Sequence, residues 1–369
     1  MMTDADTLFA ILTKIKQGCQ NKIKPGLADN LDGLIHFANK IRKKDLPKTI
    51  GVFGAQKRGK SSLINQLLGC DLMPTGMIPM TSTVIEVKND EKMPVGQFTV
   101  NITSENGFIQ EQKGLPLPDA QALLRQYGSH KGLSNTETET IRVTSYFPES
   151  KILVRGGILI DTPGAEKAFE TENSNENNQK DIRRAESILK STSIFIFVER
   201  ADYIQNKSGA AFFNKNLKNL QPLCVVNMKE LAEDEVRKRT ATSDPNALEA
   251  NLNSYLCEHM VNAFHANFND LICVSCKEAK TAKKNSDKRG LEKSDLPRLE
   301  NQILQKLDEL KPEVGVASCL NRLQNCLNSI KETNGEPFVK QLCASVRTLL
   351  NTLCKSECSE TKNSAKGIL

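Results

Sequence analysis

Apolar residues recur at two different periods along this chain, and the change of period divides it. Leu8, Ile11, Leu12, Ile15 and Cys19 fall three or four residues apart, as do Leu31, Leu34, Ile35, Ala38 and Ile41, so each set forms one stripe of a helix. Lys24, Pro25 and Gly26 interrupt the pattern between them. A helix with a single apolar stripe must bury it against a partner, which predicts further helices elsewhere. From Ile50 to about Ser275 short apolar runs alternate with amphipathic ones, the pattern of an α/β sheet. After Ile50–Phe53 the strand candidates are Thr83–Val87, Gln97–Ile102, Glu139–Tyr146, Ile152–Ile160, Ile194–Val198, Leu223–Asn227 and Leu271–Ser275.

The polar, basic stretch from Cys276 to Asp295 reads as a solvated loop. From Leu296 the helical period returns in three stripes. They are Leu299, Ile303, Leu307 and Leu310, then Val316, Leu320, Leu323, Leu327 and Ile330, then Phe338, Leu342, Val346, Leu349 and Leu353. The spacings predict N-terminal helices over 1–45, an α/β domain over 46–295 and C-terminal helices over 296–369. Both terminal sets are expected to join in one bundle.

The first strand candidate and the amphipathic run Leu63, Ile64, Leu67 and Leu68 flank the stretch Gly54, Ala55, Gln56, Lys57, Arg58, Gly59, Lys60 and Ser61, with Ser62 after it. These eight residues fit the P-loop pattern, in which successive backbone N–H groups and a helix N-terminus surround phosphates. Lys60 is expected to reach the β- and γ-phosphates and the Ser61 hydroxyl to ligate Mg²⁺.

Three further stretches fall where a GTPase needs them. Gly156–Gly164 is an apolar run ending in Asp161, Thr162, Pro163 and Gly164. Asp161 would hold magnesium through a water, and the Gly164 N–H would contact the γ-phosphate. Met73–Val87 supplies hydroxyls before a strand, and a switch loop needs one of them on the metal; Thr81 is the first choice, with Thr83 and Ser82 behind it. For the base, Leu223–Glu230 retains Asn227 of the Asn-Lys-x-Asp pattern but places Met228 for the lysine and Glu230 for the aspartate. Val198–Asp202 competes, because Asp202 keeps the aspartate; it lacks the Asn and comes one strand earlier, so strand order favours Asn227. Ser275 and Cys276 follow the last strand candidate, where a backbone site for the guanine carbonyl belongs.

Composition narrows the partners. With 25% charged and 38% hydrophobic residues the chain reads as globular, and its net charge of +6 is mild. Only 5% of residues are aromatic and none is Trp, which argues against a base-stacking nucleic-acid surface. No run is apolar enough to span a bilayer and the first ten residues lack signal-peptide regions, so the expected location is cytoplasmic. Eleven cysteines are then expected to be reduced thiols; Cys273 and Cys276 form a C-x-x-C without the second pair that a zinc site needs, and His36, His130, His259 and His265 are scattered.

Together the residues Gly54–Gly69, the Pro-rich switch Met73–Ser82, the long segment before Gly156–Gly164 and helices on both sides of the α/β region resemble the dynamin superfamily of large GTPases, and are most similar to bacterial dynamin-like proteins. The likeness covers about Leu31 to Cys276, and the outer helices match only in kind. It implies an α/β fold: a P-loop GTPase domain with a mostly parallel sheet and flanking helices, plus a helical bundle formed by N- and C-terminal helices. It also implies Mg²⁺-dependent hydrolysis of GTP to GDP, stimulated by dimerisation across the nucleotide face and coupled to the bundle, commonly on membranes. The implied partners are a second copy or a longer dynamin-like GTPase, and the implied localisation adds peripheral membrane association to the cytoplasm.

By the same resemblance Gln56 helps position the attacking water and Thr81 is the magnesium threonine. Lys57 stands where relatives carry a serine that holds a monovalent cation or a catalytic arginine; a built-in cation and a solvent-facing lysine are both open there. About ninety residues follow the last strand candidate, which at 1.5 Å per helical residue gives room for a bundle near the GTPase domain and not for a long stalk. Two rival readings stand beside GTP hydrolysis: a degenerate nucleotide-binding partner of a longer relative, motivated by Met228 and Glu230, and an ATPase.

Overall fold

A computed structural model describes residues 3–19, 22–43, 48–75, 83–104, 107–128, 138–163, 188–189, 192–202, 204, 207–240, 244–264, 271–310 and 312–368. The chain divides into two compact units, one comprising Thr49–Glu186 and Ile194–Leu307, the other Met1–Lys48, Ser187–Ser193 and Asp308–Leu369.

After helices α1 (Asp4–Cys19) and α2 (Pro25–Arg42), the chain enters a sheet. Its strands among the described residues are β1 (Thr49–Phe53), β2 (Val84–Asn89), β3 (Gln97–Ser104), β4 (Gly107–Pro116), β5 (Thr138–Ser145), β6 (Ile158–Asp161), β7 (Ile194–Arg200), β8 (Leu223–Asn227) and β9 (Leu271–Val274). The order across the sheet is β4-β3-β5-β2-β6-β1-β7-β8-β9. From β6 to β9 every neighbouring pair is parallel, while β2 runs antiparallel to β6 and β3 runs antiparallel to both β4 and β5. β1, β8 and β9 are buried along their whole length, as continuous apolar strands covered on both faces must be.

Helices fill the connections: α3 (Lys60–Leu68), α4 (Leu117–Gly128), α5 (Lys151–Val154), α6 (Lys207–Phe212), α7 (Lys229–Thr240), α8 (Pro245–Phe264), α9 (Cys276–Lys284), α10 (Lys288–Lys293) and α11 (Leu296–Asp308). α3 is anchored at the end away from the loop. The Ser150 hydroxyl donates to the Leu67 carbonyl (2.7 Å) and Lys283 Nζ to the Gln66 carbonyl (2.6 Å), which occupies carbonyls that a helix C-terminus leaves without intrahelical donors.

Four sequence expectations need correction. Ile152–Ile160 is not one strand: Lys151–Val154 is a helical turn capped by Ser150, and β6 begins only after Gly156 and Gly157. A short apolar run does not by itself choose between helix and strand. The polar strand β4 was not expected; its Gln110, Glu111, Gln112 and Lys113 suit the sheet edge it occupies. The stretch 276–295 is not a loop but α9 and α10, with Ser275 and Asp287 accepting from Glu278 N (3.1 Å) and Gly290 N (3.0 Å) as N-caps. The buried face of α9 is Cys276, Ala279 and Ala282, side chains too small to raise an apolar signal. Finally, α11 falls within the α/β unit. Its stripe Leu296, Leu299, Ile303 and Leu307 demands burial, but periodicity does not say against what.

The helical unit contains α1, α2, α12 (Pro312–Asn334), α13 (Glu336–Leu353) and α14 (Ser359–Ile368), the last not expected from the sequence. Leu8, Ile11 and Leu12 of α1, Leu31 of α2, Leu320 and Leu323 of α12 and Leu350 of α13 share one core. Each buried side chain of this size contributes about 2 kcal/mol of transfer free energy. Arg322 of α12 is buried in this unit, its guanidinium 4.5 Å from the Phe37 ring centre and donating to the Thr192 carbonyl. Burial pulls its pKa down to about 10, so it stays a cation at neutral pH. Thus the few residues that precede β7 belong, as packing, to the helices.

Candidate nucleotide-binding site

Because β6, β1, β7, β8 and β9 are parallel neighbours, their carboxyl ends share one edge of the sheet, the place where open α/β sheets bind ligands. Gly54–Gly59 leaves β1 at that edge and turns into α3. Gly54 has φ 144°, and a Cβ there would lie 2.2 Å from the Val198 carbonyl oxygen. Gly59 has φ 87°, and a Cβ there would lie 2.0 Å from Asn227 Nδ2. Both positions therefore require glycine twice over, for conformation and for space. Ala55 is buried, Gln56 half-buried and Lys57 exposed, the last with φ 60°.

Lys60 is buried, and its Nζ donates to the carbonyls of Gly54 (3.0 Å) and Ala55 (2.9 Å). The ammonium is thus held inside the loop's curve. Ser61 Oγ donates to Asp161 Oδ2 at 2.7 Å, which joins the first turn of α3 to the end of β6. A serine hydroxyl beside a buried carboxylate is an all-oxygen donor set, the kind that hard cations such as Mg²⁺ select. Ser62 lies half-buried one residue further along α3.

The residues of the candidate base motif also lie together. Asn227 Nδ2 donates to the Arg58 carbonyl (3.4 Å), and Asn227 Oδ1 accepts from the Met228 N–H (2.8 Å), tying the end of β8 to the loop. Ser275 Oγ donates to Glu230 Oε2 at 2.7 Å, so the carboxylate stands over the end of β9. Cys276 lies beside it: burial pushes the thiol up to about 12, the Glu230 charge adds to this, and a hydrogen bond from Asn227 opposes it. Burial likewise pushes Cys273 up to about 12, so neither thiol is ionised at neutral pH. Asp202, the competing candidate, instead takes both of its oxygens to Arg200 at 2.6 Å on the surface. Lys229, between Met228 and Glu230, is buried and its Nζ donates to the Lys293 carbonyl (3.2 Å).

Thr81, Ser82 and Gly164 lie outside the described residues. Thr83, the third switch candidate, is buried and donates to the carbonyls of Tyr127 (3.2 Å) and Thr138 (3.4 Å). The contacts of several residues here were not foreseen from the sequence. Thr162 Oγ1 donates to the Val52 carbonyl (2.7 Å), and Asn65 clamps Met73 by two hydrogen bonds of 2.7 and 2.9 Å at the entry to the switch segment. Glu199 pairs with Arg58 at 2.5 Å. A carboxylate closing the apolar run Ile194–Val198 was the one available signal.

Glycines that only glycine can satisfy, a lysine curled into the loop and a serine–aspartate pair at the carboxyl edge of a parallel sheet define a P-loop nucleotide-binding domain. Residues 50–229 match the dynamin family. The chain is also 26% identical over 254 residues to Dynamin-like protein 2 of Campylobacter jejuni subsp. jejuni serotype O:23/36 (strain 81-176), covering 68% of this chain and 33% of that protein. It is 24% identical over 277 residues to an uncharacterised protein of the xynA 3′ region of Caldicellulosiruptor sp. (strain Rt8B.4), covering 75% of this chain and 60% of that one. The chain therefore spans less than two thirds of either relative. A solved structure of an oligomerised bacterial dynamin pair, described as sensing and tethering membranes, aligns with a TM-score of 0.49 at 17% identity, over 95% of this chain and 50% of that one. Among the described residues no helix is long and apolar enough to cross a membrane.

Proposed function

We propose that this protein hydrolyses GTP to GDP and phosphate, that pairing of two GTPase faces stimulates the reaction, and that the helical unit carries the nucleotide state outward, at a membrane surface. The observation that supports this best is the convergence of Lys60, the Ser61–Asp161 pair, Asn227 and the Glu230–Ser275 pair at one sheet edge. Lys60 binds the β- and γ-phosphates, and the loop's N–H groups surround them. Ser61 and Asp161, with Thr81, would hold Mg²⁺, which supplies neutralisation of phosphate charge when bound. Gln56 orients the water that attacks the γ-phosphorus as the bond to the bridging oxygen breaks. Glu230 accepts from the guanine edge, and Ser275 with Cys276 provides the backbone site for the guanine carbonyl.

Turnover measured against protein concentration tests the reading. Specific activity with GTP should rise with concentration, because a facing protomer, a second copy or a longer relative, orders the Gln56 and Lys57 side chains and excludes solvent. Flat activity over a hundredfold concentration range, with no gain from added relative, would remove the pairing step. No turnover at all with intact GTP binding would favour a nucleotide-binding partner, the reading that Met228 and Glu230 motivate.

Base selectivity provides a separate check. A glutamate carries one methylene more than the usual aspartate, so GTP is expected to be preferred over ATP by less than an aspartate site achieves. Glu230→Asp should sharpen the preference. Glu230→Ala should erase it and weaken GTP by about thirtyfold, since one charged hydrogen bond is worth about 2 kcal/mol. The same GTP:ATP ratio in all three proteins would move the guanine contact elsewhere, Asp202 first.

A further inference from the structure

The side chain of Arg58 does not behave as a phosphate ligand. It sits in the middle of the phosphate loop, yet it is 2% exposed, and its Nε meets Glu199 Oε1 at 2.5 Å. Glu199 is itself fully buried at the end of β7, where the same oxygen accepts the Arg200 N–H (2.9 Å). Gly209 of α6 leaves the room: a Cβ there would lie 2.8 Å from Glu199 Oε2.

The backbone on either side of Arg58 is unusual. Lys57 has φ 60° and Gly59 has φ 87°, so two left-handed residues flank it. Such alternation turns successive N–H groups inward into an anion-binding concavity. A left-handed lysine is strained and persists only where its surroundings hold it. Arg58 is held from two further strands: its guanidinium by the tip of β7 and its carbonyl by Asn227 of β8. Those tips are themselves joined, since the Ala201 N–H donates to the Asn227 carbonyl at 3.0 Å.

We propose that Arg58 and Glu199 are a positioning pair that holds the loop in its phosphate-binding shape before nucleotide arrives. The carboxylate keeps the arginine, whose planar fork would otherwise suit a phosphate, turned into the protein. The arginine in turn neutralises a buried negative charge that would repel the incoming phosphates. The pair acts through the loop backbone and touches no substrate. This inference rests on the reading of the site as one for guanine nucleotides.

The test compares GDP with GMP, because GMP lacks the β-phosphate that the loop encloses. Affinities of both are measured by competition against a fluorescent GDP, for the wild-type protein, Arg58→Met and Glu199→Gln, with thermal unfolding in parallel. Each variant should lose tenfold or more in GDP affinity while GMP stays within twofold. Arg58→Lys, which keeps the charge but not the planar fork, should fall between them and the wild type. Should a single variant fail to fold, the doubly neutral Arg58→Met/Glu199→Gln protein takes its place, since a pair removed together leaves no lone buried charge. The same drop in the GDP:GMP ratio is expected of it. A ratio unchanged in folded variants would overturn the inference and leave the pair a structural contact. A wild-type protein that binds neither nucleotide would instead overturn the reading of the site.

Discussion

Replacing Lys60 with alanine is expected to weaken GTP and GDP binding by roughly a thousandfold while the protein remains folded. The ammonium is buried and already held by the Gly54 and Ala55 carbonyls, so the site contains a fixed positive charge at the point that the loop encloses. Truncating one partner of a buried, hydrogen-bonded charge pair costs about 4 kcal/mol, and that loss falls on the bound state, where the phosphates are left without it. The free protein loses two hydrogen bonds to loop carbonyls, a smaller effect of about 1 kcal/mol each. A calorimetric titration with GDP, alongside a thermal melt, separates the two. Wild-type affinity in a folded Lys60→Ala protein would show that the phosphates bind elsewhere.

The second large effect is expected in turnover rather than binding. Lys57 is exposed on the loop's crest, in a left-handed conformation. In the closed, paired state its ammonium is proposed to serve as a built-in cation near the β–γ bridging oxygen, where negative charge grows as the bond breaks. Lys57→Ala should then lower the turnover rate by a factor on the order of a hundred, as loss of one charge-stabilising donor costs about 3 kcal/mol. GTP affinity should hardly change. Alanine is a better control than glycine, because it keeps the Cβ and with it the left-handed strain while removing the amine and its stem. Lys57→Ser should recover activity only when potassium or sodium is added. Wild-type turnover in Lys57→Ala would make this lysine an ordinary surface residue.

Some of this molecule is written in short windows of its sequence. The phosphate loop was legible because Gly54, Gly59, Lys60 and Ser61 stand at fixed offsets between an apolar run and a helical one, and their requirement is local: left-handed backbone, then a helix N-terminus. The terminal helices were legible for a similar reason, since a stripe at Leu8, Ile11, Leu12 and Ile15 repeats within a few turns. Strand β8 was found end to end, because a buried parallel strand is apolar throughout. Where the signal was short or small, local reading failed. The run at Ile152 became a helical turn, and α9 hid behind buried alanines.

What no window contains is the identity of a distant partner. Periodicity required α11 to bury Leu299 and Ile303, but only packing put it with the sheet; the residues before β7 went to the helices by the same kind of decision. Gly59 is explained by an amide on Asn227, whose hydrogen bond to the loop joins residues 169 positions apart. Glu230, which strand order already favoured over Asp202, meets Ser275 across 45 positions, while Asp202 meets Arg200 two residues away. The sequence by itself determined the local chemistry: the loop, the strand periods and the charges available. Tertiary structure decided which charges meet, because a buried ion such as Arg58 must find its counter-ion wherever the fold brings one, and sequence distance places no limit on that.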